Sequence, residues 1–428
     1  MNGEFMKRDE LRQLQIERLQ TTLNRACRNV SFYRHAFDAA KIDIQTIREI
    51  DDIRRLPFTT HEDLSASYPY GMFAVPLRDI VRIHAGAGTS GRPIAMGYTK
   101  NDIMHWSDLV ARLLAAAGIN EHDVVQVAFN YGLFAGGLGF HYGAERIGAS
   151  VIPASSARNV REQVMIMRDY KATALLTMPS HAASIAAAIE AAGIHPESLN
   201  LRVGLFGGEP WTETLRQHLE KRLGLVAFDT YGINELMGPG VAGECENRNG
   251  LHVNEDHFIM EIIDPQTLDP VKPGDEGELV FTTITREGFP VIRYRTRDRA
   301  CLLEGPCSCC RTTARISRIA GRIDDTIFIQ GSKIAPLQVR ELLVDIMKSR
   351  PEFRIVLDRK NDLDDMELQI VLSNVVDVVD EWKTLDRFRS DVAVRLTTAF
   401  NIDARVTFVE AASIREGGGH QIVVDKRK

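Results

Sequence analysis

Tyr231-Gly-Ile-Asn-Glu-Leu-Met-Gly-Pro-Gly-Val241 decides the reading of this chain, taken together with His84-Ala-Gly-Ala-Gly-Thr-Ser-Gly-Arg-Pro93 upstream. The downstream stretch places one acid, Glu235, shortly after an aromatic, Tyr231, in a loop that also holds Gly232 and Gly238. A flat ring suits stacking on a nucleobase, and a neighbouring carboxylate suits Mg2+ held against phosphates. The upstream stretch is a Gly-rich turn. Gly88 and Gly91 let backbone N–H groups approach phosphate oxygens, Thr89 and Ser90 add hydroxyls, and Arg92 adds charge. Neither stretch is decisive alone, and the glycines of Gly86–Gly91 in isolation are more often an ordinary turn.

The rest of the chain sets the frame. At 428 residues it is long enough for more than one domain, and 44% hydrophobic content is ordinary for a globular protein. The formal charge of −6 argues against non-specific nucleic-acid binding. Met1–Gln20 is charged and helical in pattern, unlike a signal peptide, and no apolar run reaches the roughly 18 residues of a membrane helix. A cytoplasmic enzyme is expected. Six cysteines in such a chain favour free thiols or metal ligation over a disulfide frame.

Residues from about 7 to 56 read as helices, with Leu11, Leu14, Ile16, Leu19 and Leu23 forming an apolar stripe. Between 80 and 300, short apolar runs alternate with longer amphipathic stretches. The runs are Val124–Ala128, Ser150–Pro153, Ala174–Thr177, Arg202–Phe206 and Val226–Thr230, which predicts βα units on a largely parallel sheet. After Gly321-Arg-Ile-Asp-Asp325 the pattern becomes a small α+β unit, with a helix over Pro336–Met347 and strands near 354–357, 367–372 and 404–409.

Further pieces fall in the same series: Val30-Ser-Phe-Tyr-Arg34, Leu56-Pro-Phe-Thr-Thr60, Tyr131-Gly-Leu-Phe-Ala-Gly-Gly137, Phe206-Gly-Gly-Glu-Pro-Trp211 and Arg293-Tyr-Arg-Thr-Arg-Asp298. With the two glycine-rich stretches they resemble the phenylacetate–CoA ligase family of adenylate-forming enzymes, over nearly the whole chain. The resemblance implies an α/β fold. A large N-terminal adenylation domain of mixed β-sheets and flanking helices (residues 1–322) would precede a small mobile α+β C-terminal domain (323–428). It implies that ATP and an aryl carboxylate form an acyl-AMP, and that CoA or another thiol, such as an acyl-carrier protein, then displaces AMP. Gly208, Glu209 and Pro210 with Asp229, Thr230, Tyr231 and Gly232 would frame the adenine. Glu235 would meet Mg2+ and phosphate, and Asp298 the ribose hydroxyls with Arg322 nearby. An acceptor-only carboxylate suits two adjacent hydroxyls. Tyr131, Phe134, Gly136 and Gly137 would line the aryl pocket, the glycines leaving room for a ring. Asp324 or Asp325 would be the hinge, and a homodimer would fit the family.

The family also carries a cysteine-rich turn where this chain has Cys307-Ser-Cys309-Cys310-Arg311. Joined to Cys245 and His252, Cys307 and Cys309 would complete a closed set of three thiolates and one imidazole, the structural kind of zinc site. Cys310 stands in reserve for Cys309, since only it gives Cys307 the two-residue spacing of common zinc modules. Unliganded thiols are the plain alternative.

One departure bears directly on activity. Near the C-terminus the family has a Gly-Lys pair, and here the segment runs Ser413-Ile-Arg-Glu-Gly-Gly-Gly-His-Gln-Ile-Val-Val-Asp425. The lysine position falls on Gly419, or on His420 if the gap moves. His420 is a weak stand-in because an unperturbed imidazole is mostly neutral at pH 7, and Lys426 or Lys428 would have to reach in from a flexible tail. Losing one positioned donor costs on the order of 10²–10³ in rate. An acyltransferase, or a non-catalytic binder of nucleotide or acyl-AMP, therefore stands beside the ligase reading. The edited tail also suggests a specialised pathway of secondary metabolism.

Overall fold

Apolar runs bounded by turn residues become strands, and the stretches between them become helices. The computed structural model describes residues 3–86, 93–133, 135–347, 351–371, 382–410, 413–414 and 422–427. The chain divides into two compact units, Met1–Pro179 with Ile185–Ile323 and Asp324–Lys428 with the short stretch Ser180–Ser184.

In the first unit, β1 (Arg82–Gly86) and β2 (Ile94–Tyr98) form an antiparallel pair that leads into and out of the upstream Gly-rich turn. Five parallel strands follow: β3 (Val124–Val127), β4 (Ser150–Ile152), β5 (Ala174–Thr177), β6 (Val203–Gly207) and β7 (Val226–Ile233). They lie where the alternating runs predict. Every residue of β5 and β6 is buried, as expected of parallel strands covered on both faces. The connecting helices start on side-chain caps: Thr99 for Lys100–Ala116, Asn159 for Val160–Asp169 and Thr212 for Glu213–Leu223.

After β7 the sheet changes sense. Antiparallel strands β8 (Gly238–Glu244), β9 (Leu251–Val253), β10 (Phe258–Ile263), β11 (Glu276–Thr283), β12 (Tyr294–Leu303) and β13 (Arg315–Ile316) extend it, and β14 (Gly321–Arg322) pairs with β12. The order is β10-β11-β12-β13-β9-β8-β7-β6-β5-β3-β4. The N-terminal helices Arg8–Asn29 and Ser31–Ala39 bury Leu11, Leu19, Leu23 and Phe37 in the core.

The second unit is built on β15 (Ile327–Ile329) and β16 (Ser332–Ile334), which form a hairpin, and on a four-stranded sheet. That sheet orders β19 (Ala404–Val409), β18 (Leu363–Val371), β17 (Phe353–Lys360) and β20 (Val423–Asp425). Helices Pro336–Met347 and Trp382–Phe400 complete it, with a core that includes Val339, Leu343, Ile355, Leu368, Val392 and Leu396. No helix among the described residues is long and apolar enough to cross a membrane.

Candidate functional site

The carboxyl ends of parallel strands are where α/β sheets open a crevice for ligands. Gly208, Glu209 and Pro210 follow β6, with Gly208 exposed and the other two half-buried. Thr230, Tyr231 and Gly232 end β7 beside them, in register with Gly207 at Thr230. Gly232 lies so close to the Gly238 carbonyl that a Cβ would collide with backbone, which explains glycine at the point where β7 turns back into β8.

Three groups predicted for the nucleoside meet within this unit. β12 and β14 bring Asp298 opposite Arg322. The Arg322 guanidinium donates to Asp298 Oδ1 at 2.7 Å, and the Tyr231 hydroxyl donates to Oδ2 at 2.8 Å. Burial and the Asp298 charge push the Tyr231 phenol well above its usual range, so it stays protonated and able to donate. Its ring stacks on Phe281 with centroids 6.1 Å apart. Asp298 is thus an oriented acceptor.

Glu235 stands on the turn just past β7. An atom built at the Cβ position of Gly86, the last residue of β1, would lie 3.9 Å from a Glu235 carboxylate oxygen and 4.0 Å from the Asn234 amide nitrogen. The strand leading into the Gly-rich turn therefore ends against the Glu235 carboxylate. Asn234 is itself buried, and its Oδ1 accepts from the Ala135 N–H at 3.3 Å. Gly88, Thr89, Ser90, Gly91 and Arg92 lie outside the described residues, as do Phe134 and His420.

Asp229 has a setting that its position in the motif did not disclose. Its backbone N–H donates to Glu244 Oε2 at 2.7 Å, and Glu244 takes two bonds from Arg216 Nη2 at 2.6 and 2.7 Å. The Trp211 ring carries Arg216 at 5.3 Å and Arg318 at 4.9 Å. Burial first, then the Glu244 charge, raise the Asp229 carboxyl to about 7. Arg216, Glu244 and Arg318 are spread over more than 100 residues of sequence, so only the fold assembles this layer around β7.

The predicted aryl-pocket residues divide. Tyr131 is half-buried, with its hydroxyl 3.3 Å from His141 Nδ1, and His141 Nε2 is 3.1 Å from Glu145. Burial, then Glu145, raise the Tyr131 phenol. Gly136 begins the helix Gly136–Arg146 and is buried. Gly137 needs correcting as a source of space for a ring: its missing side chain makes room for the Asn130 carbonyl, 2.6 Å from where a Cβ would stand. That glycine serves close helix–loop packing.

In the second unit, Asp324 Oδ1 accepts from the Thr326 N–H at 3.3 Å, and Asp325 follows it just before β15. The far end of the chain is tied down. The Lys426 N–H donates to the Leu357 carbonyl at 2.8 Å, while Arg427 binds the Phe328 carbonyl at 2.6 Å, Asp364 at 3.1 Å and Asp425 at 2.8 Å. The backbone carrying Lys426 is therefore part of the sheet rather than a free tail. Lys428 lies outside the described residues.

Away from the nucleotide groups, ligand atoms of Cys245, His252, Cys307 and Cys309 all lie within 4.8 Å of one another. Cys245 Sγ is 3.7 Å from Cys307 Sγ, and Cys309 Sγ is 3.4 Å from His252 Nε2. Cys310 points away: it is exposed, and its thiol lies 3.7 Å from the Ser308 carbonyl. Burial, then Arg311 and Arg315, hold His252 at about 4, so its Nε2 lone pair is available, and Thr313 contacts Nδ1 at 3.3 Å. Burial raises Cys245 to about 12; it opposes ionisation of Cys307 too, but the Cys309 amide and neighbouring donors bring that thiol down to about 7. Three soft sulfurs and one imidazole with no open position form a donor set that fits tetrahedral Zn2+.

Comparison with known proteins identifies the family. The AMP-binding enzyme family model matches residues 54–285, and the AMP-binding enzyme C-terminal domain matches 331–427. The phenylacetate-coenzyme A ligase of Escherichia coli K12 is 45% identical over 85% of this chain and 83% of its own length. That of Pseudomonas putida is 42% identical over 98% and 95%. A crystal structure of 2-hydroxyisobutyryl-CoA ligase with 2-HIB-AMP and CoA superposes with a TM-score of 0.91 at 26% identity, covering 100% of this chain and 92% of that one. The chain belongs to the phenylacetate–coenzyme A ligase family of AMP-binding, adenylate-forming enzymes.

Proposed function

We propose that this chain activates an aromatic, phenylacetate-like carboxylate with Mg·ATP and passes the acyl group to CoA. The observation that carries this reading is the convergence of Tyr231, Asp298 and Arg322 with Glu235 around the carboxyl ends of β6 and β7. In the first half-reaction a substrate carboxylate oxygen attacks the α-phosphorus, and the bond to pyrophosphate breaks. In the second, a thiol sulfur attacks the acyl carbon and AMP leaves.

Asp298 would accept from the two ribose hydroxyls, exchanging its present donors in part for the ligand. Gly208 carries no side chain, which leaves the end of β6 open toward the base. Thr89, Ser90 and Arg92 would face the phosphates, with Glu235 as the carboxylate nearest the bound Mg2+. Mg2+ would supply charge neutralisation between phosphate oxygens. Cys245, His252, Cys307 and Cys309 would hold a structural Zn2+ that ties β9 to the turn before β13. Asp324 or Asp325 would be the hinge at the start of a 323–428 domain that moves between the half-reactions, and Tyr131 with Phe134 would contact the aryl group. A carrier thiol in place of CoA, a homodimer and a cytoplasmic setting are compatible with the same reading. The acyltransferase and non-catalytic readings gain no support from the relatives, which are named as ligases.

The test is direct. Incubation with Mg·ATP, phenylacetate and CoA should give AMP and phenylacetyl-CoA in equal amounts. AMP release without thioester would rule out CoA as acceptor, and neither product from any aryl acid would remove the ligase reading.

A further inference from the structure

Arg286 is fully buried, yet among the described residues no carboxylate lies within ion-pair distance of it. Two of its nitrogens, Nε and Nη2, are buried without a hydrogen-bond partner. Its charge rests instead against the faces of Tyr98 at 4.5 Å and Phe289 at 5.0 Å. A buried guanidinium without a carboxylate is costly, and is retained where it does something a neutral side chain cannot. Its one bonded nitrogen shows what that is: Nη1 donates to the Glu235 carbonyl at 2.6 Å and to the Leu236 carbonyl at 2.7 Å.

The rest of the turn is secured by other donors. The Tyr98 hydroxyl binds the Met237 carbonyl at 3.2 Å, Trp106 Nε1 the Pro239 carbonyl at 2.8 Å, and Asn254 Nδ2 the Gly240 carbonyl at 2.8 Å. Three neutral side chains thus hold 237–240, while a cation holds the residue that carries the acid. Removing Arg286 would free the peptide of Glu235 while leaving the other anchors in place.

We propose that Arg286 is the positioning residue for Glu235, fixing its peptide from below so that its carboxylate stays aimed at the Mg2+ and phosphate position next to Gly86. This rests on the reading of Glu235 as the Mg2+-side carboxylate. A carboxylate held in one orientation binds a cation more tightly than one that must be ordered on binding. Arg286 is fully buried, and its effect passes through the Glu235 backbone.

The experiment is calorimetric titration of ATP at a series of Mg2+ concentrations, with thermal denaturation alongside, for wild type, Arg286→Met, Arg286→Lys, Glu235→Gln and the Arg286→Met/Glu235→Gln double variant. It needs no knowledge of the acid. Arg286→Met should raise the Mg2+ needed for half-maximal ATP binding about tenfold, the scale of one charge-assisted hydrogen bond. Arg286→Lys, which keeps the charge as a point donor, should recover most of that loss. In the Glu235→Gln background the Arg286 change should add nothing to the Mg2+ requirement, because both act through one group. An unaltered Mg2+ dependence in Arg286→Met, equal weakening with and without Mg2+, or additive effects in the double variant would overturn the proposal. If Arg286→Met does not fold, Arg286→Lys decides: a Mg2+ requirement raised about threefold at unchanged melting temperature supports it, and no change overturns it. Glu235→Gln separates the two levels. No effect of that change on Mg2+ dependence removes Glu235 from the metal and the proposal with it, whereas an effect there without one at Arg286 overturns only the positioning role.

Discussion

The turn Tyr231–Val241 and the segment Gly417–His420 answer different halves of the same chemistry. In the turn, the groups proposed to serve adenylate binding are held in place: Tyr231 on Asp298, Asn234 on Ala135, and the peptide of Glu235 on Arg286. In the tail segment, three glycines and a histidine stand where the family supplies a lysine. The nearby Lys426 belongs to backbone hydrogen-bonded to Leu357. Under the proposed function, holding a nucleotide would need the first region. Speeding the attack on its α-phosphate would draw on the second, because a cation there would meet charge that develops only in the transition state. The proposed function thus makes the two roles separable: binding groups built into a sheet would persist while a donor on the C-terminal segment is exchanged.

The largest expected effect breaks the binding side. Glu235→Gln should lower ATP–pyrophosphate exchange by about 10³-fold, measured at fixed Mg2+, because it removes the carboxylate proposed to lie nearest the metal. Unchanged exchange would show that the turn is not the metal-side element. Next comes the other side of the comparison. Gly419→Lys should raise exchange by about 10²-fold, the reciprocal of losing one positioned donor, with little change in ATP binding. A variant that gains ATP affinity but no rate would mean that the glycine run was never the limit.

A third change lies in neither region and serves as a control. Cys307→Ser should lower zinc content and melting temperature together, while exchange per folded molecule stays within about threefold of wild type. Zinc content near zero in the unaltered protein would sink the metal assignment.

The smallest effect is a pH dependence. Asp229 is raised to about 7 by burial and Glu244, so the native state holds a proton that the unfolded state releases near 4. Stability from this group is full at low pH and is lost as pH rises through about 7. Wild type should therefore lose roughly 2–4 °C more melting temperature between pH 5 and pH 8 than Asp229→Asn does. Equal slopes would show that Asp229 titrates normally.

Much of this was legible beforehand, for identifiable reasons. Apart from half-buried Val124 and exposed Val226 at their starts, the runs at 124–128, 174–177 and 226–230 are buried on both faces, so their continuity marked the parallel strands directly. The helix Pro336–Met347 carries its apolar spacing openly, with Val339, Leu343 and Met347 buried. The short strands β13, β14 and β20 escaped notice, since two or three residues carry no period. At the candidate site, Tyr231, Glu235 and Asp298 could be singled out because they sit in contiguous motifs. Arg286, Arg216 and Glu244 were not, because their roles exist only across long sequence separations. The signal for Arg286 was at best an arginine beside the Glu287-Gly288 turn, which says nothing about burial. Gly137 misled for the opposite reason: a missing side chain reads as space, whereas here backbone fills it.

ATP–pyrophosphate exchange by the unaltered protein, with Mg2+ and a panel of aryl carboxylates but no thiol acceptor, is the most direct test of the ligase activity. Exchange should depend on one aryl acid and be slower than in a relative carrying the lysine. Absence of exchange with every acid, while ATP or an acyl-AMP still binds by calorimetry, would contradict that activity.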